Sequence, residues 1–187
     1  MKNLDAFQSD LIAEVVRAII QEGGVIDLDG LGRFVPGSNG HPRFVAETRP
    51  RIFIAYVEEN RLEAVRLYRS FEDAGYDPWL DSKKLLPGQN WPRAIEEAID
   101  TADFFVPCFS QLSVRKKGTF QAEIRYAMDC ARRVPLDDTY LIPTRLDDCS
   151  VPRSITREIQ YIDLFPDWDR GVKQVLSVLA KQRRKPC

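Results

Sequence analysis

The chain has 187 residues, 44% of them hydrophobic and 10% aromatic, which is enough for one core of about 130 residues plus a small appendage. Lysine plus arginine (27) nearly balance aspartate plus glutamate (28), so no overall charge draws the chain to nucleic acid or to a membrane surface. No run reaches the ~18 apolar residues of a spanning helix and no secretory signal pattern opens the chain, so we expect a cytoplasmic protein.

The cysteines and the single histidine argue against metal and thiol chemistry. The four cysteines are too widely spaced for a zinc knuckle or a Cys-x-x-Cys redox pair, and they are Cys108, Cys130, Cys149 and Cys187. The only histidine, His41, lies in a loop rich in glycine and proline. We therefore expect reduced thiols, no metal site and no Cys–His nucleophile.

Residues 1–48 predict a helix followed by a hairpin. Apolar residues recur at three- and four-residue steps over residues 4–21, before Gly23-Gly24. Two short strands are predicted around a turn at Asp29-Gly30. The piece Gly30-Leu31-Gly32-Arg33-Phe34 resembles a turn of the histone-like HU fold, without the long basic arm of that family. Because residues 1–48 hold four basic and seven acidic side chains, we expect no DNA binding by this segment.

From about residue 49, strand and helix patterns alternate to the end of the chain. Predicted strands cover 51–57, 76–80, 103–109, 139–146 and about 159–164, and predicted helices cover about 59–74, 90–100, 119–132 and 167–182. Such alternation predicts a parallel sheet with helices on both faces. We place the boundary near Thr48, which gives two segments, 1–48 and 49–187.

Four short pieces of the second segment occur in an order typical of one family. They are Phe53-Ile54-Ala55-Tyr56, Trp79-Leu80-Asp81, Pro87-Gly88 and Glu123-Ile124. Together they resemble the TIR (Toll/interleukin-1 receptor) domain in its bacterial form, over about residues 49–182. The resemblance implies an α/β fold with a flavodoxin-like, five-stranded parallel sheet and helices on both faces.

Polar side chains follow the first three predicted strands. Tyr56, Asp81 and Ser110 stand at the carboxyl ends of these strands, where open parallel sheets bind ligands. We expect Glu123 on the same rim, in the first turn of a helix. Taken alone, a first-turn glutamate often does no more than complement the helix dipole.

Many TIR domains cleave the bond between nicotinamide and ribose in NAD⁺, and Glu123 matches their catalytic glutamate. The resemblance also implies that Asp81 and Lys84 belong to the loop that caps the pocket, where Lys84 meets the pyrophosphate or is simply solvated. Tyr56 is expected near the ligand or half-buried in its strand. Phe120 supplies an aromatic face to the ligand or packs in the core.

Two departures from the family pattern predict weak affinity for a dianionic dinucleotide. Ala55 stands where the family often has serine, and Glu58-Glu59 follow Tyr56 where some members carry a basic residue. The first hypothesis is an NAD⁺ nucleosidase with NAD⁺ as substrate and no bound cofactor. The alternative is a non-catalytic adaptor that acts through TIR–TIR contacts.

The resemblance implies activation by self-association in bacterial immune, anti-phage or stress signalling. An upstream activator is expected to act through residues 1–48, and no membrane partner is expected. Linear ADP-ribose, cyclic ADP-ribose and base exchange all stay open as outcomes of the reaction.

Overall fold

The computed structural model describes residues 14–28, 32–37, 41–46, 49–81, 88 and 90–183. The chain forms two compact units, Met1–Thr48 and Arg49–Cys187. Each unit is built around its own sheet. Residues 4–13 of the first predicted helix and the Asp29-Gly30 turn lie outside the described residues.

The first unit combines a helix with an antiparallel sheet. Helix α1 covers residues 14–21, and strands β1 (Ile26–Leu28), β2 (Gly32–Pro36) and β3 (Pro42–Ala46) pair in that order. The rings of Phe34 and Phe44 lie 5.0 Å apart between β2 and β3. The sequence did not predict β3, because the glycine- and proline-rich stretch before it indicated a loop.

The second unit has a parallel sheet of five strands. They are β4 (Arg51–Ala55), β5 (Asp77–Trp79), β6 (Phe104–Phe109), β7 (Thr144–Arg145) and β8 (Ile162–Asp163). Their order is β5-β4-β6-β7-β8, and every pairing is parallel. This is the flavodoxin-like order, so the predicted fold is confirmed.

Helices cover both faces of this sheet, as predicted. They are α2 (Arg61–Asp73), α3 (Trp91–Asp100), α4 (Thr119–Ala131), the short α5 (Arg153–Thr156), which was not predicted, and α6 (Trp168–Arg183). Helices α2 and α6 pack on the face that contains Ile52 and Ile54. Helices α3, α4 and α5 pack on the face that contains Phe53 and Ala55. Alternate residues of β4 therefore enter two cores, which explains its continuous apolar run.

Strand β7 is shorter than the predicted strand 139–146. Leu141 pairs with Phe105 in an isolated bridge, and regular pairing resumes only at Thr144. Pro143 lies between them and has no N–H to donate. The Thr144 hydroxyl instead donates to the Pro107 carbonyl oxygen at 3.1 Å, which keeps these strands joined.

The ends of the helices follow local rules. Gly75 has a φ of +83°, a conformation that favours glycine, and it ends α2 with its N–H bonded to the Glu72 carbonyl. The Asn90 side chain accepts from Arg93 N at the start of α3, and Asp167 accepts from Arg170 N at the start of α6. Among the described residues, no helix is long and apolar enough to cross a membrane.

Candidate active site

Two of the predicted site residues meet at the carboxyl end of the sheet. The Tyr56 hydroxyl, directly after β4, donates to Asp81 Oδ1, after β5, at 2.6 Å. Both side chains are half-buried. The contact joins residues 25 positions apart because β4 and β5 are parallel neighbours, so their carboxyl ends lie side by side.

Glu123 lies on α4, but not in its first turn. The helix begins at Thr119, after Gly118 with a φ of +133°, so Glu123 is its fifth residue and no acidic residue occupies the first turn. The expectation of a first-turn glutamate was therefore wrong. Glu123 is half-buried beside the apolar stripe of α4, which consists of Phe120, Ile124, Ala127 and Cys130. The helix dipole thus gives no simple structural reason for a carboxylate here.

The surroundings of Glu123 oppose its ionisation. Burial raises the pKa of its carboxyl from the ordinary 4.5 to about 7, and the negative charge of Asp81 acts in the same direction. Glu123 and Asp81 are therefore electrostatic neighbours, although they come from a helix and a strand end 42 residues apart. A carboxyl with a strongly shifted pKa beside a second carboxylate is typical of functional sites.

The other two predicted residues have different outcomes. Phe120 is 5% exposed and meets Phe109 edge-on, with ring centroids 5.7 Å apart. This ring therefore packs in the core, and a direct contact with ligand stays a prediction. Lys84 lies outside the described residues.

A buried polar network supports the rim from below. Ser110, after β6, donates through its hydroxyl to Asn60 Oδ1 at 2.6 Å, and its N–H donates to the Ser113 hydroxyl at 2.7 Å. The Gln121 side chain donates to the Ser113 carbonyl at 3.1 Å, which ties the start of α4 to this loop. Sequence reasoning identified Ser110 but missed Asn60 and Ser113. Small polar residues just after strand ends were the available signal.

A second cluster lies at the opposite, amino-terminal end of the strands. Here Asp100 accepts from the Tyr126 hydroxyl at 2.7 Å and from Arg133 at 3.3 Å. The hydrogen bond from Tyr126 is the main reason that the pKa of Asp100 is lowered. A cleft of about 680 Å³ adjoins Asp100 and Arg133. Despite this volume we do not place the active site here, because its carboxylate is exposed and neutralised by its partners.

The described residues contain neither a group of side chains that could hold a metal ion nor an activated thiol. Among these residues, no group of three or more His, Cys, Asp or Glu side chains is arranged to hold a metal ion. Cys108, Cys130 and Cys149 are free and buried. Burial raises the pKa of Cys108 to about 12 and that of Cys149 to about 11, which disfavours their thiolates.

A sequence model described as the TIR domain matches residues 52–176. The chain belongs to the TIR-domain family. The resemblance predicted from the four sequence pieces is thereby confirmed at the level of the family, and the bacterial form stays a prediction. Comparison with curated proteins gives no match.

Solved TIR structures share the fold of this unit. The TIR domain of the Toll-related receptor TRR-2 from Hydra magnipapillata has a TM-score of 0.58 at 18% identity, covering 71% of this chain and 98% of the receptor domain. A metazoan TIR-STING receptor from C. gigas, solved in complex with 2',3'-cGAMP, gives 0.57 at 20% identity, covering 72% of this chain and 39% of the receptor.

A third similar structure comes from an assembly. The TIR domains of the activated Roq1 resistosome, which directly recognises the pathogen effector XopQ, give a TM-score of 0.55 at 15% identity. They cover 70% of this chain and 99% of the Roq1 chain. At such identities the likeness establishes the fold of this TIR domain and not its activity.

Proposed function

We propose that this TIR domain is an NAD⁺ nucleosidase that cleaves the bond between nicotinamide and ribose, with Glu123 as its catalytic carboxylate. The observation that carries the proposal is the placement of Glu123. Its carboxyl is desolvated, next to Asp81, and outside the first turn of its helix. A protein rarely keeps a carboxylate in such surroundings for stability, because ionising it there costs free energy.

One carboxylate is sufficient for this chemistry. The nicotinamide of NAD⁺ already carries a positive charge and leaves as a neutral molecule, so the reaction needs no general acid, unlike ordinary glycoside hydrolysis with its two carboxyl groups. Positive charge develops on the ribose in the transition state. A carboxylate in a partly dehydrated site stabilises that charge more strongly than one in water does.

The Tyr56–Asp81 pair has two roles in this proposal. Its hydrogen bond fixes the Asp81 carboxylate on the rim, where an oxygen can accept from a ribose hydroxyl. Its negative charge adds to the field of Glu123 at the ribosyl cation. Lys84 and Phe120 keep their predicted roles, Lys84 as a phosphate contact in the capping loop and Phe120 as an aromatic face for the ligand.

We further propose that the enzyme acts in the cytoplasm as an immune or stress effector activated by self-association. The TIR domains of the Roq1 resistosome support this proposal, because that structure is an activated assembly. Activity should then rise faster than linearly with protein concentration. An activator is expected to act through residues 1–48.

The test is incubation of the full chain with NAD⁺ from nanomolar to high micromolar protein, with released nicotinamide measured by chromatography. Separation of the products on the same column distinguishes linear from cyclic ADP-ribose and from base exchange. A rate strictly proportional to protein concentration would argue against assembly. Absence of nicotinamide at every concentration would reject the enzyme.

The acidic rim favours one second candidate, the non-catalytic adaptor. Glu58 and Glu59 lie in the segment after β4, at the same carboxyl end of the sheet as Asp81, whose charge acts on Glu123. Four carboxylates around one end of the sheet repel a dinucleotide diphosphate unless a cation intervenes. The adaptor is the better proposal if the full chain binds neither NAD⁺ nor ADP-ribose.

A further inference from the structure

Two contacts cross the point where strand order reverses. Strand β5 follows β4 in the chain and pairs with one edge of β4, and β6 pairs with the other edge. The crevice therefore lies between the carboxyl ends of β4 and β6. A 3₁₀ turn after β4, Glu58–Asn60, contains Glu59 and Asn60, and the loop after β6 contains Ser110 and Lys116. Asn60 meets Ser110 at 2.6 Å, and Lys116 Nζ lies 2.7 Å from both carboxylate oxygens of Glu59.

These two contacts differ in permanence. Asn60 and Ser110 are buried and lie in a network that also includes Ser113, so opening that contact would leave buried polar atoms unpaired. The side chains of Glu59 and Lys116 are about half exposed, at 46% and 47%. An exposed ion pair contributes little to stability and is screened by salt. The inner contact therefore joins the loops, whereas the outer contact is free to exchange partners.

The Glu59 carboxylate presents to Lys116 the same kind of group as a phosphate, namely negatively charged oxygens that accept hydrogen bonds. Its two oxygens accept from one ammonium group at equal distances. The hydrogen bond from Lys116 is the main reason that the pKa of Glu59 is lowered, so the carboxylate is ionised at neutral pH. A neighbouring ion pair, Arg61 with Glu58, joins residues three positions apart and does not cross the crevice.

Lys116 also lies close in sequence to the catalytic helix. The loop returns on itself through the Lys116 N–H bonded to the Ser113 carbonyl, and Gly118 then starts α4, which carries Glu123. The Gln121 side chain near the start of α4 donates to the same Ser113 carbonyl, so this loop packs against the helix that carries Glu123. In a rim that holds four carboxylates, Lys116 is placed to neutralise the phosphates.

We propose that Lys116 binds the diphosphate of the dinucleotide substrate and that Glu59 occupies Lys116 in the free protein as an internal competitor. This inference rests on the proposed function, because it names the residue that binds the diphosphate of the substrate at that same site. On binding, a phosphate oxygen replaces the Glu59 carboxylate on the ammonium group, and Glu59 turns to solvent. The two acidic residues after Tyr56 therefore need not exclude a dinucleotide.

The proposal predicts effects of opposite sign for the two partners. In the full chain, Glu59→Gln removes the competitor and should tighten ADP-ribose binding about threefold to tenfold, whereas Lys116→Met should weaken it on the order of tenfold or more. ADP-ribose is the probe because it carries the diphosphate and lacks the bond to nicotinamide, so its Kd is measured without turnover. Calorimetric titration at about 50 and 300 mM salt should show the Lys116→Met effect shrinking with salt.

Matched controls lie next to each residue. Glu58→Gln and Lys117→Met change the same charges one position away, and both side chains are exposed. Each should leave the Kd for ADP-ribose within about twofold of the parent. Adenosine, which has neither the diphosphate nor the bond to nicotinamide, should bind all five proteins alike. A thermal scan of every variant checks folding, and Lys116→Gln replaces Lys116→Met if the latter unfolds.

Several results would overturn the proposal. A purely structural ion pair predicts that both variants shift the Kd in the same direction or not at all. Failure of the parent to bind ADP-ribose at millimolar concentration would also reject it. If NAD⁺ is cleaved while Lys116→Met binds like the parent, only this inference fails. If the opposite shifts appear without nicotinamide release, the diphosphate site stands and the nucleosidase proposal fails.

Discussion

Two tyrosine–aspartate pairs lie at opposite ends of the same sheet and differ in the charged group beside them. At the carboxyl end, Tyr56 donates to Asp81 at 2.6 Å, and the neighbour is the carboxyl of Glu123. At the amino end, Tyr126 donates to Asp100 at 2.7 Å, and the neighbour is the guanidinium of Arg133. The same pair of residue types therefore occurs once with a like charge and once with an opposite charge.

The two sites therefore differ in whether the surroundings favour or oppose the charged form of the carboxyl group. Asp100 is stabilised in its charged form by its partners, as its lowered pKa shows. Glu123 is held in surroundings that disfavour its charge. The cleft beside Asp100 shows that volume alone does not identify an active site, whereas an uncompensated carboxyl is a chemical reason to place one.

The largest expected effect on the rate comes from removing the charge of Glu123, and the same change at Asp100 serves for comparison. Glu123→Gln keeps the shape of the side chain and removes the charge that stabilises the ribosyl cation, so nicotinamide release should fall on the order of 10²-fold or more. Asp100→Asn at the opposite end is the matched control and should change the rate less than about twofold. Equal rates for Glu123→Gln and the parent would reject the catalytic assignment.

The pH dependence of the rate should follow the ionisation of Glu123. Its pKa is raised to about 7, and the ionised form is the active one, so the rate should increase with pH through neutrality. Between pH 6 and pH 8 the ionised fraction grows about tenfold, and kcat for nicotinamide release should grow with it. A rate that is flat over this range would show that the carboxyl titrates elsewhere or plays no part in the step.

Stability should change in the direction opposite to activity. The Glu123 carboxyl keeps its proton to about pH 7 in the folded chain and loses it near 4.5 when unfolded. The folded state thus binds more protons between these values, and its stability declines as pH rises through that window. The full cost above pH 7 is roughly 3 kcal/mol.

Glu123→Gln should therefore raise Tm by several degrees at pH 8 and change it little at pH 4.5, where the glutamate is neutral. Asp100→Asn should instead lower Tm at pH 8, because it removes a carboxylate that its partners stabilise. Differential scanning calorimetry at the two pH values distinguishes the variants. A fall in Tm for Glu123→Gln at pH 8 would indicate that the carboxylate is structural.

The sequence predicted the fold better than the site. Strands such as β4 and β6 are continuous apolar runs, and the stripe of α6 repeats at helical spacing, so these elements are encoded locally. Strand β3 was not predicted because its flanking sequence indicates a loop. The shortness of β7 depends on two prolines, Pro107 and Pro143, that face each other across neighbouring strands, and such a pairing is not a local pattern.

The site depends on contacts that no spacing rule contains. Tyr56 and Asp81 could be assigned to one rim, since strand ends of a parallel sheet converge. The hydrogen bond between them and the desolvation of Glu123 require the packed structure. Because α4 starts at Thr119, Glu123 lies beyond the first turn. An interaction with the helix dipole therefore does not explain this glutamate.

The smallest expected effect comes from the two tyrosine hydroxyls. Tyr56→Phe removes the proton that Asp81 accepts at 2.6 Å, so the negative charge of Asp81 is less dispersed and opposes the ionisation of Glu123 more strongly. The midpoint of the pH–rate profile should move up by about half a pH unit, and the rate at pH 7 should fall roughly twofold. At about pH 9 the rate should match that of the parent, because Glu123 is then ionised in both proteins. Tyr126→Phe makes the same deletion beside Asp100 and should leave the midpoint in place. A loss of rate in Tyr56→Phe that is the same at every pH would instead mean that the hydroxyl contacts the substrate itself.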